Sequence, residues 1–512
     1  MNSHAWNEAP STDDLRKSYD EIPYPNVPKP FTHISRLAAI AKIRGLNPTA
    51  TVCCRVLEIG CADGGNLVPL AARFPASQFL GIDLSPQQIA IGRQQVAELE
   101  LRNFELRTAD IMQLRADDLG QFDYIIAHGI FSWVPAPVRD RILTVCRDHL
   151  SPSGIAYISY NTYPGWRGKQ ALREMLRYHT RSISDLRKKV ESALEMLSIL
   201  PEPSPESDEP AIFQAQRLRR DLERVDDPVT YLLHEYLVDV NEPLYFSEFV
   251  QLAEAAGLQY VDDAYPGSSS LDRLADRARE WVVRQTPNYL QQQQYVDLLG
   301  NVAFRRSLLC HARAVPRRDF TIDRLAGLHV AALCSRTESE SNSPSFQTDA
   351  GRKFSTDHAG LRAVLECLAD SRPSTVPFTE LHSMLGGQTS AEDAASIFAG
   401  LLHGGAIEFL FDPLRCAQAI SDRPKTPRLV RHQVAQGLVT NALHRSIRIE
   451  NAFERMLIGL LDGSRSIAEL TAELRKRLSA SQPLSDAEWE SHLRDHLSVM
   501  IGQGLLECDE DR

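Results

Sequence analysis

VLEIGCADGGN, Val56 to Asn66, places an apolar run that includes Glu58 ahead of three glycines, Gly60, Gly64 and Gly65. The run predicts a short β-strand. The glycines predict a turn in which backbone passes close to a ligand at the start of a helix, where a side chain would obstruct. A turn of this kind suits a phosphate, a dinucleotide or a ligand with no phosphate at all, so its occupant has to be read from the residues that follow.

A phosphate-binding NTPase loop would continue as Gly-Lys-Ser/Thr, whereas Gly65 is followed by Asn66 and Leu67. A dinucleotide fold is a closer rival, because Asp83 lies 23 residues beyond Gly60 at a strand end, where an acid bonds ribose hydroxyls. Glu58 shifts the balance, since a carboxylate beside the turn repels a pyrophosphate and suits an ammonium or sulfonium charge. Asp110 and Ile111 follow the third predicted strand, placed for a carboxylate to accept from an adenine amino group beside an apolar contact. Glycine turn, ribose acid and adenine acid in this order describe S-adenosylmethionine. The residues expected to hold it are Glu58, Gly60, Cys61, Ala62, Gly64, Asn66, Asp83, Leu84, Asp110 and Ile111.

The surrounding chain sets the context for that site. It has 512 residues, 43% hydrophobic and 24% charged, the composition of a soluble globular protein with several domains. A formal net charge of −11 gives no electrostatic footprint for nucleic acid or an anionic membrane surface and favours a basic partner. The nine cysteines contain no CxxC pair, so neither a metal site nor a disulfide framework is expected. A polar, proline-rich start and the lack of an apolar run of about 18 residues argue against a signal peptide and a membrane span, and the expected location is the cytoplasm.

Short apolar runs at 56–59, 78–82, 103–107, 124–127 and 155–159 alternate with segments of helical spacing, which predicts parallel βαβ units with the working edge at the strand C-terminal ends. A charged helical stretch, 168–237, interrupts this rhythm and reads as an insertion. FSEFVQLAEAAGLQY from Phe246 and FRRSLLCH from Phe304 then supply a helix and two strands that close the sheet, so one α/β domain is expected to run to residue 312. Polar stretches at 201–210, 336–351 and 421–428 read as linkers, with 313–351 a connector. Two modules follow, 352–420 and 429–512. They carry a weak internal repeat in which Leu381 and Leu385 match Leu470 and Leu474 at a fixed offset of 89. Each ends in a glycine step, GGAIE at Gly404 and QGLLE at Gln503, as expected of small winged-helix-like α+β modules. Without a basic face they read as protein-contact modules rather than DNA binders.

The chain resembles class I methyltransferases, and within them bacterial, rickettsial-type protein lysine methyltransferases with a methyltransferase regulatory region. The resemblance is carried by SYDEIPYP at Ser18, VLEIGCADGGNLVPLA at Val56, FLGIDLS at Phe79, FDYIIAHGIFSWVP at Phe122 and SYNTYPGW at Ser159, and it extends through EYLVDVNEPLYFSEFVQLAEAAGLQY and FRRSLLCH. It implies a Rossmann-like seven-stranded methyltransferase sheet, S-adenosylmethionine as methyl donor, and protein lysine as an acceptor. Residues 238–312 would then be the regulatory, sheet-closing segment. Ala62 stands where the superfamily carries the middle glycine. An N-terminal arm with Tyr19 and Tyr24 is expected to fold over the cofactor, as such arms do in this superfamily.

Methyl transfer is an in-line displacement, so positioning matters more than a strong acid or base. A lysine acceptor must nevertheless arrive neutral, and with an ordinary pKa of about 10.4 only about 1 in 10³ is neutral at pH 7. An apolar or aromatic slot disfavours the ammonium, and hydrogen-bond acceptors orient the amine. His128, Asn161 and Tyr163, at the ends of the fourth and fifth strands, and Trp133 are the expected catalytic residues, with Trp166 as a further wall. His128 is also expected to touch the cofactor. Each has a plainer alternative: a hydrogen-bonded strand-end histidine, a turn-forming Asn-Thr-Tyr-Pro-Gly, and packing tryptophans. The charged helices from Arg181 to Val225 read as a solvated face or as the contact of a homodimer. The rival functions are a small-molecule methyltransferase, for which a slot closed by arm and insertion would speak, and a cofactor-binding regulatory or scaffold protein.

Overall fold

The computed structural model describes residues 20–22, 26–202, 210–225, 227–337, 344–478 and 485–508. Helix α1 (Ile34–Ile43) precedes β1 (Arg55–Ile59), α2 (Val68–Arg73), β2 (Gln78–Asp83), α3 (Pro86–Glu98), β3 (Phe104–Thr108), β4 (Phe122–Ala127), α4 (Ala136–His149) and β5 (Leu150–Asn161). All five expected strands form, and β1 to β5 pair in parallel.

Four helices then leave the sheet: α5 (Gly165–Thr180), α6 (Leu186–Ile199), α7 (Pro210–Leu222) and α8 (Pro228–Leu232), the last running into a π turn, Leu233–Leu237. They enclose a separate small core of Leu172, Leu176, Val190, Leu197, Leu218, Leu233 and Tyr236, which Ile22 of the arm joins. The chain returns through α9 (Phe246–Ala255), β6 (Leu258–Asp263), α10 (Asp276–Gln285), α11 (Tyr289–Gly300) and β7 (Phe304–His311). β7 lies antiparallel between β5 and β6, completing a seven-stranded sheet of order β3-β2-β1-β4-β5-β7-β6.

The sheet is apolar on both faces, as a doubly covered parallel sheet must be. Val56, Tyr124, Ile126 and Leu308 pack under α1 to α3, while Leu57, Ile125, Ile158 and Leu309 pack under α4 and α9. Each such fully buried side chain contributes about 1.5–3 kcal/mol. Because successive strand residues face opposite sides, this partition also decides where each residue of β1 points.

The stretch 313–351 is more than a connector. It holds β8 (His329–Ala332), β9 (Cys334–Thr337) and β10 (Ser345–Thr348), the last pairing with β11 (Lys353–Ser355). β8 is the central strand between β12 (Thr375–Pro377) and β13 (Ile407–Leu410), so the first small module draws its middle strand from before residue 352. Strand pairing at a distance of tens of residues explains why a polar stretch with two short apolar runs reads as a linker in isolation. Helices α12 (Ala359–Ser371), α13 (Phe378–Met384) and α14 (Ala391–His403) complete that module.

The second begins with α15 (Arg428–Gln433) and the hairpin of β14 (Leu438–Thr440) and β15 (Ser446–Arg448), and continues with α16 (Ala452–Leu460), α17 (Ile467–Leu478) and α18 (Asp486–Gly502). Leu381, Leu385, Leu470 and Leu474 are all buried, as the repeat requires. The two glycine steps differ, because Gly404 leads into β13 whereas Gln503 to Glu507 forms no strand and the second module's hairpin precedes its helical repeat. Among the described residues, no helix is long and apolar enough to cross a membrane.

Candidate active site

The C-terminal ends of β1 to β5 open into one cavity of about 680 Å³. Gly60, Ala62, Asp83, Leu84, Asp110, Ile111, His128, Trp133 and Asn161 all line it. Gly60 has a left-handed backbone, φ +72°, and a Cβ there would meet Ile130 Cγ2 at 2.6 Å, so the bare backbone leaves room that a side chain would fill. Ala62 holds φ +48° without being glycine. Its strain is offset by its amide, which donates to Asp83 Oδ2 at 2.8 Å and ties the glycine turn to the end of β2. Asp83 Oδ1 accepts from Ser85 N at 2.9 Å. Burial raises the Asp83 carboxyl above its ordinary value, against the pull of these backbone amides. Ser85 then starts α3, accepting from Gln88 N at 3.1 Å ahead of Pro86 at the first helical position. Asp110 Oδ1 accepts from Met112 N at 2.9 Å, which fixes a second carboxylate on the same rim.

At the end of β4, His128 Nδ1 lies 2.9 Å from Tyr157 Oη and 3.2 Å from Ser159 Oγ. Burial first, then Lys29 and Arg306, push its imidazole down to about 3, so the ring is neutral at physiological pH. Asn161 is buried, and its Nδ2 donates to Asn241 Oδ1 at 3.0 Å while Leu244 N donates to its carbonyl at 3.1 Å. The returning segment before α9 therefore sets the asparagine's orientation. Trp133 and Trp166 meet edge to face, 6.1 Å between ring centroids, and both line the cavity.

Several expected site residues stand elsewhere. Glu58, Cys61, Gly64 and Asn66 lie behind the cavity wall. Alternation along β1 turns Glu58 toward α1 and α2, where its Oε1 accepts from Asn66 Nδ2 at 2.8 Å and its Oε2 is buried with no hydrogen-bond partner among the described residues. Burial pushes its carboxyl up to about 8, with Asn66 and Lys29 opposing. Cys61 packs its sulfur where a Gly81 Cβ would stand, and Gly64 lies flat against Phe104. Asn66 serves as a joint: its Oδ1 accepts from Lys29 N at 2.9 Å and Thr32 Oγ1 at 3.1 Å, and His444 Nε2 lies 3.1 Å away. Tyr163 points away from the cavity, with its hydroxyl donating to Gln170 Oε1 at 3.2 Å and the Arg167 guanidinium 4.5 Å above its ring. Tyr24 and Tyr19 lie outside the described residues.

Burial of this set gives two opposed pH effects. For Glu58, a pKa raised from 4.5 to about 8 means the folded state binds the extra proton, so its contribution is present at low pH and lost as pH rises through 8. For His128 and His444, both depressed from 6.5 to about 3, stability is lost as pH falls through that window. Glu58→Gln is accordingly expected to melt like the wild type near about pH 4 and higher than the wild type near about pH 9. Calorimetric melting at both values checks it, and equal melting points at the upper value would sink the assignment.

The cavity also has walls that local sequence did not reveal. Asn26 and Lys29 come from the arm, Lys169, Tyr231, His234 and Glu235 from the helical insertion, and Phe304 and Arg306 from β7. Asn26 Nδ2 donates to Cys61 O at 2.7 Å, so the arm is fastened to the glycine turn itself. His234 Nε2 lies 2.8 Å from Ile22 O, and the residue lines the cavity as well. Arg306 stacks on Phe31 and Phe304 at 4.4 and 4.9 Å, and its buried Nε has no hydrogen-bond partner among the described residues. Motif spacing carries no signal for these residues; only the docking of arm, insertion and β7 brings them to the site.

The residues present fit S-adenosylmethionine: the carboxylates at the ends of β2 and β3 would meet ribose and adenine beside the bare glycine turn that follows β1, and Lys29 with Arg306, whose Nε has no hydrogen-bond partner among the described residues, would meet the methionyl carboxylate. Comparisons with known proteins agree. A methyltransferase domain family matches residues 57–156, a predicted methyltransferase regulatory domain residues 228–311, and the C-terminal winged helix domain of PKMT residues 422–503. An uncharacterized protein of Rickettsia prowazekii, RP789, is 30% identical over 465 residues, 87% of this chain and 83% of its own length. A second, RP028, is 38% identical over 238 residues, 46% of this chain and 94% of its own. The structure of PKMT2 from Rickettsia typhi in complex with AdoHcy superposes with a TM-score of 0.82 at 26% identity, covering 94% of this chain and 100% of that one. Cofactor, fold and domain content thus converge, and the chain belongs to the S-adenosylmethionine-dependent methyltransferases that join a class I methyltransferase domain to a methyltransferase regulatory domain and a PKMT-type C-terminal winged helix.

Proposed function

We propose that the acceptor of this methyltransferase is a protein lysine, as the kinship with PKMT2 and the resemblance to protein lysine methyltransferases suggest. The observation that carries the reading is the cavity's outer half, where the Trp133 and Trp166 edges and the Asn161 amide stand beyond the cofactor-side carboxylates. Bound S-adenosylmethionine supplies an electrophilic methyl carbon on a sulfonium. Gly60 and the Asp83-anchored turn shape its seat, Asp83 and Asp110 take the ribose and adenine, and Lys29 with Arg306 takes the methionyl carboxylate. The tryptophans exclude water and disfavour an ammonium, and Asn161, whose Nδ2 is held by Asn241, offers its Oδ1 to the incoming N–H. Neutral His128 acts through position rather than charge.

A small-molecule acceptor is favoured by one observation, that arm and insertion both contribute to the wall. Incubating purified protein with tritiated S-adenosylmethionine in a lysate separates the readings. Label on lysines of macromolecules supports the proposal, label confined to metabolites supports the alternative, and binding without any label supports a scaffold. Tyr163→Phe is expected to leave the transfer rate within about twofold, since the hydroxyl bonds Gln170 outside the cavity. A loss of more than about tenfold would return Tyr163 to the reacting centre.

A further inference from the structure

The insertion brings to the cavity a carboxylate that has no direct partner among the described residues. Glu235 lies in the π turn after α8, half-buried and lining the cavity. Single π turns of this kind occur often at functional sites, where the wider winding re-aims one side chain. Among the described residues its carboxylate makes no hydrogen bond and no ion pair. The groups that face it are Lys169 of α5 and Tyr231 and Tyr236 of its own segment, with Arg217 and Asp221 of α7 behind them. Lys169 rests its ammonium 4.7 Å from the Trp166 ring centre and makes no ion pair among the described residues. Burial raises the Glu235 carboxyl above its ordinary value, and Lys169 offsets this only in part.

A half-buried carboxylate that lines a cavity and has no hydrogen-bond or ion-pair partner among the described residues is a place where a bound ligand can complete the charge. Its partner should be a cation. Of the other groups, His128 is too weak a base to take a proton from an ammonium at neutral pH, Asn161 and Trp133 do not titrate and Tyr163 is outside, which leaves Lys169 as the rival that the variants below separate from Glu235. Asp83 and Asp110 belong to the glycine-turn end.

We propose that Glu235 receives the ammonium group of the incoming acceptor and accepts its proton before transfer, an inference that rests on the amine-acceptor reading above. The proton passes from the acceptor nitrogen to a Glu235 oxygen. The nitrogen lone pair then forms the N–C bond as the S–C bond breaks, its electron pair staying on sulfur to give the neutral thioether. The methylated nitrogen leaves as an ammonium, and Glu235 returns its proton to solvent.

Binding of n-butylammonium, a lysine side-chain surrogate, to full-length protein saturated with S-adenosylhomocysteine provides a readout free of turnover. Wild type is expected to bind it saturably, Glu235→Gln to bind it at least about tenfold more weakly, and Lys169→Met, which removes a repelling cation, to bind it more tightly. Butanol should bind both Glu235 forms alike. In methyl transfer to a short polylysine peptide, Glu235→Gln is expected to lose about 10²-fold near neutral pH, with the deficit shrinking as pH approaches the lysine's own pKa. Unchanged affinity for S-adenosylmethionine shows that the seat is intact. Equal butylammonium binding by wild type and Glu235→Gln, or a deficit independent of pH, overturns the proposal, and loss of transfer in Lys169→Met would make that lysine the proton acceptor instead. If butylammonium binds through Glu235 yet no protein or peptide lysine is labelled, Glu235 stands and the lysine reading falls.

Discussion

Asp83→Ala is expected to weaken S-adenosylmethionine binding by about 100-fold, equivalent to about 2.7 kcal/mol. Two losses add. The carboxylate is the anchor of the glycine turn, accepting from Ala62 N at 2.8 Å and from Ser85 N at 2.9 Å, and without it the amide of the left-handed Ala62 loses its acceptor. The remaining lone pairs are those that, on the proposed reading, take the ribose hydroxyls. Asp83→Asn keeps one oxygen acceptor and should fall between wild type and alanine. Calorimetric titration measures all three, and an alanine variant within about threefold of wild type would remove Asp83 from the adenosyl site.

The largest stability effect is expected far from the cofactor. Arg305 on β7 is buried, with Nε and Nη2 on Asp297 at 3.0 and 2.7 Å, Nη1 on Gln293 Oε1 at 3.1 Å, and its guanidinium 4.3 Å from the Phe246 ring centre. Asp263 stands 3.9 Å away. Both aspartates are fully buried, and burial raises their carboxyls even with Arg305 present. Arg305→Leu leaves buried Asp297 without its cation and removes one of two cations near Asp263, which costs about 3–5 kcal/mol. The sign with pH follows. In the variant the folded-state carboxyls are raised further, so stability remaining at low pH is lost as pH rises through those values. Urea titrations are expected to show a larger deficit near about pH 8 than near about pH 5. Adding Asp297→Leu should recover part of it at the higher value, and a pH-independent deficit would argue for lost packing alone. The pair fixes β7 against α11, and β7 in turn brings Phe304 and Arg306 to the cavity, so this distant ion pair supports the site's far wall.

The winged helix is joined to the cofactor turn through the same logic of buried polar contacts. The hairpin of β14 and β15 carries His444 in a left-handed turn at φ +59°, and its buried ring meets Asn66, which in turn holds Glu58 and the arm. Arg428 adds an exposed ion pair with Glu100 beyond α3 at 2.9 Å. The C-terminal module thus rests on the residues directly behind the glycine turn, a proximity that no feature of its own sequence announces.

What the sequence by itself determined is whatever depends on neighbours a few residues apart. The parallel strands are written in period-2 and continuous apolar runs. The glycine turn needs its own left-handed backbone, and Asp83 and Asp110 owe their places to the ends of strands that locate themselves. Gly60, Ala62, Asp83, Asp110, His128 and Asn161 therefore meet in one cavity as their spacing required. Tertiary structure alone decided the rest. Glu58 belongs to the strand but its direction follows from which sheet face lies under α1, so it serves the core and not the cavity wall. Tyr163 sits two residues past the end of β5, next to Thr162, which pairs with Leu244, and that pairing turns its ring outward. β8 became a strand only because β12 and β13 flank it. Lys29, Lys169, Glu235 and Arg306 come from four separate stretches of chain, and their charges acquire meaning only when packing brings them to the walls of one cavity, because charge–charge interaction falls off with distance.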